Sequence, residues 1–397
     1  MPKIISKFAP HLKDSKFSYF KMDYQVKELN LILNMTVENA KKTVINNGLV
    51  VDKMARMGHE QVVFCHDAKT GLKAIIAIHN TTLGPALGGT RMWNYESEEQ
   101  ALEDVLRLSR GMSFKAAISG LELGGGKAVI IGDSTTEKTE ALMRKFGSFV
   151  DSLGGKYITA EDVGMNTKDM EYVRMETKHV TGIPESMGGS GDPSPLTAFG
   201  VYMGMKASAK YKWGSDSLDS KTVLVQGVGN VGENLVKYLT DEGANVIIND
   251  INETRLAELA KQYGATIVMG DAIFDLDIDI YAPCALGATV NPDTIVRLKC
   301  EIIAGSANNQ LADEDRDGQL CADKGILYAP DFLINAGGLI NVYSKIKGYD
   351  KEHAINQTRA IYDTTLEIFK KAELDDITTH AAALVIAEQR IADRKNQ

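Results

Sequence analysis

One glycine hexapeptide and its surroundings constrain the fold of this 397-residue chain more than any other feature. Gly227-Val-Gly229-Asn-Val-Gly232 fits the spacing G-x-G-x-x-G. It follows the apolar run TVLVQ (222–226) and opens a segment in which Val231, Leu235, Val236 and Leu239 recur near helical spacing. A second apolar run, NVIIN (245–249), ends at Asp250, 23 residues after Gly227. Alone the hexapeptide is a weak signal, but a strand before it, a helix after it and a carboxylate closing the next strand form the context in which it binds a dinucleotide. Gly227 permits the tight turn, Gly229 lets the backbone approach a pyrophosphate, and Gly232 lets the helix pack close to the strand. The helix start at Asn230 and Val231 offers free N–H groups and partial positive charge to phosphates. The Asp250 carboxylate suits ribose hydroxyls and repels a 2′-phosphate, which favours NAD over NADP; Arg255, close by in sequence, works against that preference.

Further strands are expected at IDIYAP (278–283) and EIIAG (301–305), with helical patterns between them. This alternation predicts a parallel sheet covered by helices on both faces. The length exceeds one comfortable core, so two domains are expected. Before the nucleotide motif, residues 61–78 read as strands, and Ser97 with Gln100 reads as a capping box opening a helix that ends near Gly111-Met-Ser-Phe-Lys115. GGSGDPSP (188–195) reads as a hinge. The fold expected is α/β in two domains, one at 51–182 and a Rossmann-type NAD-binding domain with connecting helices at 183–374, followed by helices at about 375–397. Residues 1–50 form an extension with eight Lys and four acidic residues; Leu29, Ile32, Leu33, Val37 and Ala40 suggest an amphipathic helix within it.

Composition removes whole classes of function. With 44% hydrophobic and 24% charged residues the chain is neither disordered nor fibrous. A net charge of -9 gives no basic footprint for nucleic acid or an anionic membrane. No apolar run is long enough to span a bilayer, and the first residues lack the apolar core of a secretion signal. Cys65, Cys284, Cys300 and Cys321 are scattered, as expected of reduced thiols in a cytoplasm. No metal site is expected: His59, His66 and His79 lack zinc spacing, and the calcium-loop-like Asp313-x-Asp315-x-Asp317-Gly318 has Lys324 where the bidentate glutamate belongs.

A second glycine string, Gly124-Gly125-Gly126-Lys127, is not a phosphate-binding loop, because Leu121 and Ala128 replace the glycine and hydroxyl that motif requires. It reads as a glycine turn leading into the strand AVII, with the lysine partly buried at its start. Burial disfavours the ammonium and lowers its pKa, which suits a general base.

GLKAIIAIHNTTLGPALGGTR (71–91), GMSFKAAISGLELGGGKAVIIGD (111–133), YITAEDVG (157–164), QGVGNVG (226–232), APCALGA (282–288), AGSANNQL (304–311) and YAPDFLINAGGLINV (328–342) resemble the amino-acid dehydrogenases acting on glutamate, leucine, phenylalanine and valine. The likeness runs from about Met54 almost to the C-terminus; Ser134 and the first 50 residues depart from it. It implies that an L-amino acid, water and NAD⁺ give a 2-oxo acid, ammonia and NADH. Lys127 would activate the water that attacks the imine, and Asp162 would shuttle a proton to and from the amino nitrogen. Lys115 would hold the substrate carboxylate with help from Asn309 and Asn335, and its charge would help depress the pKa of Lys127. Cofactor contacts would come from Thr197, Gly227, Gly229, Asn230, Val231, Gly232 and Asp250. The resemblance also implies that 51–182 is the substrate-binding, catalytic domain, that a deep cleft separates it from the NAD-binding domain, and that the helices at about 375–397 return to it; the assembly implied is a homo-oligomer, as large as an octamer.

By the same resemblance Leu87, Gly88, Ala160, Leu339 and Val342 would line the substrate side-chain pocket. None carries a charge to pair a γ-carboxylate, which argues against glutamate. Ala160 matches the leucine-type members and narrows the pocket against an aromatic ring, whereas Leu339 matches the phenylalanine-type members. The expectation is leucine and other branched-chain amino acids, with phenylalanine or valine as the alternative substrate. A non-catalytic NAD-binding regulator is the alternative of another class, and it need not keep Lys115, Lys127 and Asp162 together.

Overall fold

A computed structural model describes residues 50–348 and 350–396. The helix expected around residues 29–40 lies outside them. The chain divides into Met1–Met57 and Gly58–Gln397. Of the first unit, the described part is helix α1 (Val50–Met57).

The second unit holds two sheets. In the first, β1 (Gln61–Asp67), β2 (Leu72–Asn80), β3 (Ala86–Trp93), β4 (Gly124–Ile131) and β5 (Tyr157–Glu161) lie in the order β1-β2-β4-β3-β5. β1–β2 and β2–β4 pair antiparallel, while β4–β3 and β3–β5 pair parallel. Helix α2 (Glu98–Ile118) packs on β2 and β4. Phe146 and Val150 of α3 (Glu140–Ser152) join Ile76, Ile78, Ala128 and Ile130 in a separate apolar cluster. A sheet covered in this way reads as unbroken apolar runs, as Ala74–Ile78 does. Helix α4 (Thr167–Arg174) follows β5.

Three expectations for this half are corrected. Helix α2 does not end within Gly111–Lys115 but continues to Ile118, which places Lys115 in its last turn. The buried stripe Ser109, Ser113, Ala116 and Ala117 carries the packing through the glycine, whose propensity cost is only about 1 kcal/mol. The three glycines before Lys127 are not a turn but the opening residues of β4 itself. The capping box is also shifted by one residue: Ser97 accepts from the Gln100 N–H at 3.1 Å, but the Gln100 side chain accepts from Glu96 at 2.8 Å.

The second sheet is wholly parallel. β6 (Thr222–Gln226), β7 (Asn245–Asn249), β8 (Thr266–Ile267), β9 (Ile280–Pro283), β10 (Ile302–Ile303) and β11 (Leu327–Tyr328) lie in the order β11-β10-β9-β6-β7-β8. Counted from β6 this is the dinucleotide-binding order 3-2-1-4-5-6 read from one edge, with its switch point between β6 and β9. The two-residue strands β8 and β11 were too short to show any periodicity. Helix α5 (Ser194–Trp213) precedes this sheet, and α6 (Asn230–Asp241) and α7 (Glu253–Tyr263) follow β6 and β7.

After β9 come α8 (Pro292–Ile295), α9 (Glu314–Asp323), α10 (Asp331–Ile334), α11 (Gly337–Ile346), α12 (Lys351–Arg359), α13 (Ile361–Asp375) and α14 (Thr379–Lys395). The calcium-like aspartates start α9: Asp313 caps it, and the buried Asp317 pairs with Arg316 at 2.7 Å. Helix α14 lies against α2, where Arg390 Nη1 donates to the Ala117 carbonyl at 2.5 Å.

Candidate active site

Lys127 is placed by close packing rather than by its own sequence neighbours. A Cβ on Gly124 would fall 2.0 Å from the Asn80 carbonyl oxygen. On Gly125 it would fall 2.1 Å from the Ser113 nitrogen of α2, and on Gly126 it would fall 2.7 Å from the Tyr157 ring. Glycine alone lets β4 pass between β2, α2 and β5 at these distances, and the next residue, Lys127, is consequently 6% exposed.

Lys127 Nζ meets Asp162 Oδ2 at 2.9 Å. Asp162 follows β5, and Gly89 on β3 makes room for it: a Cβ there would come within 2.9 Å of the Asp162 Cβ. Burial lowers the Lys127 pKa, and the Arg91 cation adds to that effect while Asp162 opposes it. Burial alone would raise the Asp162 carboxyl, but Lys127, Arg91 and the Val163 N–H outweigh it and hold the group below the ordinary range. The pair is thus biased toward a lysine that gives up its proton beside a carboxylate that does not take it.

Lys115, one turn from Gly111 on α2, donates to Asn335 Oδ1 at 2.6 Å. Asn335, between α10 and α11, donates onward to Asn308 Oδ1 at 2.8 Å and to the Ser306 carbonyl at 3.1 Å. Burial pulls the Lys115 pKa down to about 8; the buried Asp331 opposes this and the Lys127 charge adds to it. The mutual repulsion of the two lysines therefore acts on Lys115. Asn308 is the partner of Asn335. Asn309 is exposed with φ +52°, and its carbonyl accepts from the Ala288 N–H at 2.7 Å, so the structure does not bring its side chain to Lys115.

The apolar residues gather nearby. Leu87 on β3 and Leu339 on α11 belong to one cluster, against which Val342 packs. Gly88 carries no side chain; a Cβ would fall 1.7 Å from the Gly126 carbonyl oxygen, and its own carbonyl accepts from the Tyr157 hydroxyl at 2.7 Å. Ala160 sits on β5 opposite Gly89.

At the switch point, Gly227 has φ +98°, and a Cβ there would lie 2.6 Å from that of Ala285 beyond β9. A Cβ on Gly232 would lie 2.0 Å from the Gly227 carbonyl oxygen, so α6 can start against the turn only with glycine. Gly229 caps α6 with no side-chain bond, and a Cβ there would meet nothing within 4 Å. The first N–H groups of α6, at Asn230 and Val231, are therefore left for an anion. Asp250 accepts from the Val228 N–H at 2.8 Å and the Asn252 N–H at 3.0 Å. Arg255, the residue that argued against NAD, is held in an ion pair by Glu233. Thr197, on the first turns of α5, donates to the Pro193 carbonyl at 2.9 Å and stands 3.0 Å from where a Cβ on Gly338 would lie. These features fit a dinucleotide.

The residues that sequence reasoning missed are Gly89, Arg91, Tyr95, Asp104, Asn308 and Asp331. Only Asn308 carried a signal, as the other half of the Asn308-Asn309 pair. Among the described residues no group of three or more His, Cys, Asp or Glu is arranged to hold a metal, and no helix is long and apolar enough to cross a membrane.

Comparison with known proteins agrees with this geometry. Residues 59–179 match the sequence profile of the Glu/Leu/Phe/Val dehydrogenase dimerisation domain, and residues 188–252 and 247–397 match that of Glutamate/Leucine/Phenylalanine/Valine dehydrogenase. The chain is 53% identical to a leucine dehydrogenase of Bacillus cereus, over 87% of this chain and 94% of that one. It is 48% identical to a phenylalanine dehydrogenase of Bacillus thermotolerans, over 89% and 93%. The crystal structure of L-tryptophan dehydrogenase from Nostoc punctiforme superposes with a TM-score of 0.80 at 48% identity, covering 87% of this chain and 100% of that one. The chain belongs to the glutamate/leucine/phenylalanine/valine dehydrogenase family of amino-acid dehydrogenases.

Proposed function

We propose that the chain catalyses the reversible, NAD-dependent oxidative deamination of L-leucine and other branched-chain L-amino acids to 2-oxo acids and ammonia. The observation that carries this is the contact at 2.9 Å between buried Lys127 and half-buried Asp162, with Lys115 held at the same site by Asn335. A bound NAD would supply the hydride acceptor for the substrate α-carbon. Lys115 and Asn335 pin the substrate carboxylate, so the α-carbon keeps one orientation. Asp162, a carboxylate in the free protein, takes a proton from the substrate ammonium and returns it to the departing ammonia. Lys127, its pKa lowered by burial, takes a proton from the water that adds to the substrate imine; in reverse, its ammonium polarises the oxo group.

Gly227, Gly229 and Gly232 would hold the dinucleotide, the Asn230 and Val231 N–H groups would serve its phosphates, and Asp250, with Thr197, would serve the rest of the cofactor through its ribose hydroxyls. The Glu233–Arg255 pair supports NAD, because an Arg255 already neutralised is a poor partner for a 2′-phosphate. Apolar Leu87, Ala160, Leu339 and Val342 support a branched-chain substrate. The likeness to an L-tryptophan dehydrogenase and a phenylalanine dehydrogenase, with Leu339, favours an aromatic substrate as the second reading. Asn309 keeps a place as a substrate residue only through closure of the site. We place the substrate domain at 51–182 and the NAD-binding domain at 183–374, with 375–397 returning to the first; the break between family matches at 179 and 188 supports this, and 188–195 serves as the hinge. A homo-oligomer is supported by the dimerisation-domain match.

An amino-acid panel assayed with NAD and NADP tests the reading. The highest kcat/KM is expected on L-leucine with NAD; a higher value on L-phenylalanine or L-tryptophan overturns the substrate, and equal use of NADP overturns the cofactor. Binding of NAD without turnover on any amino acid would instead support the regulator.

A further inference from the structure

We propose that Arg91 is a positioning residue for the Lys127–Asp162 pair, anchored in that role by Asp104 and Tyr95. The proposal rests on the reading of Lys127 and Asp162 given above. Arg91 lies on β3 opposite Val129, two residues beyond Lys127 on β4. Its Nε donates to Asp162 Oδ2 at 3.1 Å, the same oxygen that receives Lys127 Nζ at 2.9 Å. Its Nη1 donates to Asp104 Oδ2 at 2.9 Å. Asp104, on α2, is itself fixed: the Tyr95 hydroxyl donates to Oδ2 at 2.8 Å, and Arg107 Nη2 donates to Oδ1 at 3.1 Å.

Asp162 stands past the end of β5, where the Met165 N–H on its carbonyl at 2.9 Å and the Met92 N–H on the Val163 carbonyl at 2.9 Å fix its backbone but not its carboxylate, and a lysine ammonium is a rotatable point charge that does not define a carboxylate's plane. A guanidinium is a rigid planar fork. With one arm locked on Asp104, the other presents a single direction to Asp162, so the carboxylate is aimed before substrate arrives.

The arrangement also sets charge. Asp162 is faced by Lys127 from β4 and Arg91 from β3. Lys127 is faced by Asp162, by Arg91, by Asp104 from α2, and by Lys115 at the far end of that helix. A fixed cation at Arg91 favours ionised Asp162 and neutral Lys127 together. Its removal should raise the pKa of both groups, so the pH at which kcat/KM rises toward its plateau should move upward.

The test compares Arg91→Gln, Arg91→Lys and Asp162→Asn in the full-length protein, using kcat and kcat/KM against pH on the best amino-acid substrate. Arg91→Gln should lose about tenfold or more in kcat, and its rising limb should shift by about one pH unit to the alkaline side. Arg91→Lys keeps the charge without the fork, so its limb should stay near that of the parent while kcat falls. If Arg91→Gln does not fold, Arg91→Lys still decides: lowered kcat with an unmoved limb supports the proposal, and unaltered kcat overturns it. Loss of activity in Arg91→Gln with an unmoved limb indicates a structural role only and also overturns it. Asp162→Asn separates the two levels. Retained turnover there sinks the reading of Asp162 itself, whereas its loss beside an unaffected Arg91→Gln sinks only the role of Arg91.

Discussion

Two strings of glycine do different work in the two halves of this chain. In the nucleotide half Gly227 and Gly232 are forced by neighbours within the same strand–turn–helix, or across a single adjacent strand, and Gly229 faces open space. In the catalytic half Gly124, Gly125 and Gly126 lie inside a strand and are forced by Asn80, Ser113 and Tyr157, which come from three different elements. The first string reserves a surface for a ligand. The second lets a helix approach a strand so closely that the lysine following it is removed from water. A run of glycines therefore has no meaning until one knows what comes near it.

Substitutions can break that contrast. The largest effect is expected for Gly125→Ala, whose new Cβ would sit 2.1 Å from the Ser113 nitrogen, a backbone atom that can yield only if α2 moves. Because α2 also carries Lys115, turnover should fall by more than about 100-fold, and thermal unfolding should show a lower Tm. Unchanged turnover would mean that the approach of α2 does not position the lysines. Gly229→Ala should behave oppositely. Its Cβ is unobstructed in the free protein, so Tm should hold while the KM for NAD rises by about tenfold or more, as backbone approach to the pyrophosphate is blocked. A drop in Tm with unchanged KM would reverse the assignment.

A smaller effect concerns Lys115. Burial draws its pKa to about 8, and a bound carboxylate should draw it back up. A group whose pKa rises on binding takes up protons near and above its free value. Calorimetry of 2-oxo acid binding at pH 8.5, in two buffers of different ionisation enthalpy, should therefore show proton uptake, and Lys115→Met should abolish it. The smallest effect is expected for Gly111→Ala. Nothing lies within 4 Å of its new Cβ in mid-helix, so the protein should gain about 1 kcal/mol with activity retained.

The same contrast explains what was legible in the sequence. The nucleotide half could be read almost entirely, because its motif is local: strand, turn, helix and Asp250 follow one another within about 30 residues of chain, as the βαβ unit requires. The roles of Lys115, Lys127 and Asp162 came from family likeness, and their meeting was not visible in spacing. Arg91 looked like any charged residue at a strand end; its importance arises from Asp104 and Asp162, 13 residues and 71 residues away. Asn308 and Asn309 are alike in sequence; the structure pairs Asn335 with Asn308 and leaves Asn309 exposed on a left-handed backbone. The end of α2 was misjudged because a local propensity at Gly111 was outweighed by packing along the whole helix.

The central claim is that close approach through glycine dehydrates Lys127 and makes it a base. Its most direct test is the pH dependence of Lys127 carbamylation by cyanate, read by mass spectrometry with surface lysines as internal references. Half-maximal reactivity is expected below the ordinary lysine range, moving upward when Arg91 is replaced by Gln. A Lys127 that titrates with the surface lysines would contradict the account.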